Sequence, residues 1–404
     1  MPRRIPLIIL AVFLLSAWQK PGSLPEAGEI ESTLRELSLI TGFQVRHQLP
    51  FQMVTRDDVN KFLNDKIKKS AKPGEILAEE VTLKKFGFVP ADFDLKKNTI
   101  DLLTEQAAAF YDYDKKKLFI SDWAAKNMRD AALVHELAHA LADQNYSIAK
   151  YLKGGGKSSE ESAAREAVVE GQASWLMLEV AARRSGTSLA DPATAKQYLK
   201  DEPDGSDGDF PVFDKSPLYL QKTLLFPYDA GLKFQQAVFK QDGTPAFARL
   251  FQQAPISTAQ ILHPEQYEAK IPFAMPVLPK PAKGWKGFTT GSLGELETAV
   301  LLEQYVNKAT ASRLSTKLKG STYRIDERKS DHKMMLIYIS EWADSDSAKA
   351  YFELYRQVLE KKWQRTEFTS TSATRFSGKS EDGYFEVTLS GSLMTSREGL
   401  AEPD

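Results

Sequence analysis

Apolar positions recur at helical spacing from Ile30 to Ile40 and again from Val59 to Ile67, so residues 26 to 97 read as a mostly helical lead-in. Lys72-Pro73-Gly74 breaks that pattern. The period changes between Ala107 and Ser121, where Phe110, Tyr111, Tyr113, Leu118, Phe119 and Ile120 surround a polar, turn-forming run, which predicts a hairpin or edge strand. A helix follows from Ala131 to about Gln144, with Asp130 as its N-cap. After a glycine-rich loop, the Ser158/Glu161 capping box starts a second helix that runs to about Arg184. Asp201 to Asp209 is rich in Asp, Gly and Pro and reads as a surface loop. Further helices are expected from Pro217, after Phe226-Pro227-Tyr228 as far as Gly243, and from the Ser257/Gln260 capping box, which Pro264 stops.

Residues 274 to 287, with Pro276, Pro279 and Pro281, read as a linker. Beyond it, Leu293 to Leu314 and Ser345 to Trp363 have helical spacing, while Thr322 to Ile339 and Thr366 to Leu389 alternate like strands. The fold class is therefore α+β: a mainly helical unit with a small edge sheet over residues 23–273, the linker at 274–287, and a smaller α+β unit at 288–404. That last unit carries no catalytic constellation, and its His332 sits among turn residues as a solvated side chain.

The first 22 residues differ from the rest. Arg3 and Arg4 precede the apolar run Ile5 to Trp18, a signal-peptide layout shorter than the roughly 20 residues of a spanning helix. Export to a periplasmic or extracellular space is expected. Cleavage near Ala17 would put the large Leu15 where a small residue is preferred, so an uncleaved N-terminal anchor stays open. No later stretch reads as membrane-spanning.

Composition narrows the chemistry. Among 404 residues, 53 Lys and Arg balance 54 Asp and Glu, so nothing in the net charge points to nucleic acid as a partner. There is no cysteine, which excludes disulfides, thiolate metal sites and a cysteine nucleophile. Any metal must take nitrogen and oxygen ligands.

Such ligands are present in His135-Glu136-Leu137-Ala138-His139. Histidines four apart on a helix leave the same face and can meet one ion, while the intervening glutamate can reach a water on that ion as general base. Leu133, Val134, Leu137, Ala138 and Leu141 would bury the helix and hold both imidazoles. A catalytic Zn²⁺ needs a third protein ligand. Glu170, followed by a glycine that would let two helices approach, is the choice; Glu166, one turn earlier, is the alternative ligand or an orienting partner of a histidine. Asp143 is a further candidate for orienting a ligand, or for a capping role.

Together with Glu170-Gly171-Gln172-Ala173-Ser174, this motif resembles the gluzincin zinc metallopeptidases, in particular a poorly characterised secreted bacterial branch. The resemblance covers residues 107 to 267. It implies that Pro227-Tyr228-Asp229-Ala230-Gly231 supplies an oxyanion-stabilising tyrosine, Tyr228, and that His263 of the run Ser257 to Glu265 faces the cleft. The element with which the aminopeptidase branch anchors a substrate's free amine is missing. The expectation is therefore a zinc endopeptidase acting on a peptide or protein substrate, with the hairpin edge pairing an extended peptide. Two rivals remain: a catalytically silent zinc-binding factor, and a zinc hydrolase of non-peptide amides or esters.

Overall fold

The computed structural model describes residues 27–70, 73–106, 109–123, 126–155, 158–199 and 210–401. The N-terminal run read as a signal segment and the Asp201 to Asp209 stretch read as a surface loop lie outside them. Among the described residues no helix is long and apolar enough to cross a membrane.

The lead-in comprises α1 (Ala27–Thr41), β1 (Phe51–Val54), α2 (Arg56–Ser70), α3 (Pro73–Phe86) and α4 (Leu95–Gln106). The lead-in is mostly helical, as expected, and includes one four-residue strand. β1 pairs in parallel with β3 (Lys117–Ser121), which pairs antiparallel with β2 (Ala109–Asp112), giving the order β1-β3-β2. This hairpin is buried on both faces. Tyr111, Leu118 and Ile120 enter the main core, whereas Phe110 and Phe119 join Val59, Leu63 and Leu102 in a second cluster. Two-sided burial explains why the strands read as apolar runs with no polar face.

Next come α5 (Lys126–Tyr146), α6 (Ile148–Gly154), α7 (Ser159–Arg184), α8 (Pro192–Tyr198) and α9 (Pro211–Lys215). α5 begins before Asp130, so that residue lies inside the helix and is not its cap; the added turn takes Arg129 into the interior. The α7 start is as expected, with Ser158 Oγ accepting from Glu161 N at 3.1 Å. The two helices read around Pro227 are one, α10 (Leu218–Asp242). Proline costs it a backbone bond, yet Phe226, Pro227 and Gly231 are buried, so packing overrides the break. The unit closes with α11 (Pro245–Gln252), α12 (Thr258–Leu262) and α13 (Pro264–Glu268).

The C-terminal part adds β4 (Trp285–Gly291), α14 (Glu295–Tyr305), α15 (Lys308–Leu314), β5 (Leu318–Arg328), β6 (Met334–Trp342), α16 (Ser345–Lys362), β7 (Thr366–Thr371), β8 (Arg375–Ser380), β9 (Gly383–Ser390) and β10 (Leu393–Leu400). Its seven antiparallel strands run β4-β5-β6-β10-β9-β8-β7. The molecule is a mixed α+β fold with a helical core and a separate sheet region. The proline-rich stretch is bound to that sheet: Ala274 bridges Gly320, Arg324 donates to Pro279 O at 2.5 Å, and Leu278 packs on Met335 and Ile337. Lys85 of α3 ties the lead-in to the same sheet, donating to Met334 O and to the Asp382 carboxylate at 2.6–2.8 Å.

Candidate metal centre

α5 carries the histidines because almost every side chain from Ala132 to Asp143 is buried, the pattern of a helix enclosed on all sides. The hairpin covers one flank and α7 another. His135 and His139 are each 1% exposed and Glu136 is fully buried, an expensive place for unpaired polar groups.

Three donor atoms converge there. His135 Nε2 and His139 Nε2 are 3.0 Å apart, and Glu170 Oε2 lies 3.0 Å from the first and 3.3 Å from the second. Ligands about 2.0–2.2 Å from a tetrahedral ion are about 3.3 Å from one another, so this triangle matches one face of a zinc coordination shell. His135, Glu136 and His139 also offer ligand atoms within 4.8 Å of one another. One oxygen of Glu136, Oε2, accepts Tyr111 N–H at 2.6 Å. Glu170 touches both imidazoles and closes the triangle. The residues fit a resident Zn²⁺.

Burial pulls the His135 pKa down, while in His139 the Glu170 charge and hydrogen bond outweigh the larger opposing effect of burial and raise it. Burial also acts to raise Glu170, but the His139 charge and bonds to both imidazoles hold it down to about 2. A carboxylate that stays ionised beside two histidines is the donor set a divalent cation requires.

α10 brings Tyr228. Its ring lies 6.0 Å from that of His135, roughly parallel to it, and its pKa is pushed well above the usual phenol value, first by burial and then by the charges of Glu170 and Glu136. The phenol keeps its proton and stays a donor. Glu166 is buried one turn before Glu170, and its charge raises the Tyr228 and Tyr113 hydroxyls.

His263 lies at the junction of α12 and α13. Its Nε2 meets Glu295 Oε1 of α14 at 2.8 Å, so this ring nitrogen is engaged by the C-terminal unit. Asp143 takes the capping role, with Oδ1 accepting Ile148 N–H at 2.8 Å at the start of α6, while Oδ2 accepts the Tyr111 hydroxyl at 2.8 Å and Lys116 Nζ at 2.5 Å. Sequence reasoning missed what Tyr111 and Lys116 do. The available signal was an aromatic strand followed by a lysine-rich turn, which says nothing about a helix two turns of which it would clasp. His332 is exposed, as expected, in contact with Glu327.

No family model, curated protein or solved structure matches the chain.

Proposed function

We propose that the chain is an exported zinc metallopeptidase of gluzincin type, in which His135, His139 and Glu170 hold Zn²⁺ and Glu136 is the general base. The observation that carries this reading is the donor triangle of 3.0, 3.0 and 3.3 Å, built from two residues of α5 and one of α7. Zinc there would supply Lewis acidity, polarising a carbonyl and lowering the pKa of water. The chain's own residues do the rest. Glu136 takes the proton of the attacking water and returns it to the leaving amine. Tyr228, a neutral phenol beside Glu170, donates to the oxygen on which negative charge develops.

The hairpin supports a peptide as the substrate class. β2 is an outer strand of its sheet, and the Tyr111 N–H points away from β3 toward the active helix. An extended peptide laid along this edge would be read by its backbone, which favours internal cleavage of chains over trimming of free ends. The test is zinc content of the purified protein, with His139→Ala as control, together with cleavage of a mixed peptide library with and without chelator. Absence of stoichiometric zinc would sink the reading. Stoichiometric zinc without cleavage of peptides or small amides would replace the peptidase by a zinc-binding factor.

A further inference from the structure

Glu136 and Asp143 are seven residues apart on α5, which is two turns, about 10.5 Å, on one helix face. A single residue of the hairpin spans them. Tyr111 gives its backbone N–H to Glu136 Oε2 at 2.6 Å and its hydroxyl to Asp143 Oδ2 at 2.8 Å. Lys116 closes the arrangement, reaching the same Asp143 oxygen from a backbone with φ of 55°, where a lysine sits at a cost that glycine would not meet. The Asp143 carboxylate is fully buried, while the Lys116 side chain is about half exposed. The hairpin is therefore fastened to the helix at both ends of one tyrosine.

The fastening has a chemical consequence, because the donor on Glu136 belongs to the strand edge itself. In a strand, N–H and C=O of one residue leave on the same side, so Tyr111 presents to the side away from β3, where α5 packs, the pair of groups that an added strand would engage. At rest the N–H of that pair is spent on the carboxylate proposed as base. We infer that Tyr111 is a positioning residue that couples substrate length to the base: a peptide long enough to pair with β2 takes the Tyr111 N–H through a backbone carbonyl, and Glu136 is thereby released toward the reacting water. Short substrates leave Glu136 on the strand. Asp143 and Lys116 set how firmly the strand is held. The inference rests on the metallopeptidase reading, and one arm of its test does not.

The first arm measures kcat and KM separately for quenched peptides of increasing length around one cleavable bond. Length should raise kcat by about tenfold or more, since binding energy from remote residues is used at the reacting centre. Lys116→Ala and Tyr111→Phe should loosen the hairpin and raise kcat on short peptides toward that on long ones, with Lys116→Arg restoring the wild-type ratio. Length acting on KM alone, or an unchanged ratio in both loosened variants, would overturn the coupling. The second arm needs no activity: amide hydrogen exchange at Tyr111 in the full chain should accelerate in Glu136→Ala and stay slow in Glu136→Gln, whose amide oxygen still accepts. Equal exchange in wild type and Glu136→Ala would overturn the contact. Failure of every peptide to be cut by zinc-loaded protein overturns the peptidase reading and the coupling with it, while the exchange arm still decides the Tyr111–Glu136 bond.

Discussion

Gly171 of α7 and Gly231 of α10 meet backbone to backbone: a β-carbon on Gly171 would lie 2.1 Å from the Gly231 carbonyl carbon, and one on Gly231 would lie 2.2 Å from Ala167 O. Glu170 immediately precedes one glycine, and Tyr228 lies one turn before the other. The crossing therefore sets the distance between the Glu170 carboxylate and the Tyr228 phenol. It also gives the Glu-Gly and Pro-Tyr-x-x-Gly texts one physical meaning, as two halves of a single helix contact.

Gly171→Ala and Gly231→Ala should each force α7 and α10 apart. Because the obstacle is backbone and cannot rotate away, the loss of stability should reach the upper end of the about 1–3 kcal/mol typical of overpacking, or exceed it. Denaturant midpoints measure this. Zinc content should fall in parallel, since Glu170 moves with α7. A variant as stable as wild type would show that the helices can separate freely.

Tyr228→Phe removes only the hydroxyl. Stability and zinc content should hold, whereas kcat should fall by about 10²–10³, the usual cost of losing one donor to a developing oxyanion. KM should change little. A fall confined to KM would mean that Tyr228 binds substrate without assisting the chemistry.

Glu170 and Glu136 should separate cleanly. Glu170→Ala removes a corner of the donor triangle and should lose zinc on dialysis, measured by elemental analysis. Glu136→Gln should keep its zinc, because its carboxylate rests on Tyr111 N–H, and lose activity by about 10²–10⁴. Zinc lost from Glu136→Gln but kept by Glu170→Ala would exchange the two roles.

The legible parts of this molecule are those fixed by local periodicity and short-range chemistry. The spacing of His135 and His139, the Ser158 cap of α7 and the apolar runs of the hairpin all declare themselves within a few residues. β1 does not, because four residues become a strand only when β3 is there to pair with them. Pro227 reads locally as a helix boundary, and the contact of α10 with α7 overrules it. Gly171 signals a close approach but cannot say to what; the expected neighbour was the histidine helix, and the structure gives α10. Tyr111 and Lys116 lie 32 and 27 residues from the Asp143 they hold, beyond any local pattern. The Glu295 that holds His263 lies 32 positions onward, beyond any local pattern as well.

That contact predicts a pH-dependent tie between α12 and the C-terminal unit. The hydrogen bond to Glu295 raises the His263 pKa above its ordinary value of 6.5, partial burial opposes it, and the charges of Glu295 and Glu265 add to it. Glu265 Oε1 lies 3.7 Å from Nδ1, so both rings of charge facing the imidazole, from α13 and α14, are acidic. A group whose folded pKa is raised contributes fully below its unfolded value and loses that contribution as pH rises through the folded one. Stability from this pair should therefore be complete below about pH 6.5 and decline at higher pH, over the interval in which folded His263 gives up its proton. Urea unfolding of wild type and His263→Gln across that range should give curves that are apart at low pH and converge at high pH. Glu295→Gln should behave in the same way. A constant gap between the curves would show that His263 stabilises by packing alone.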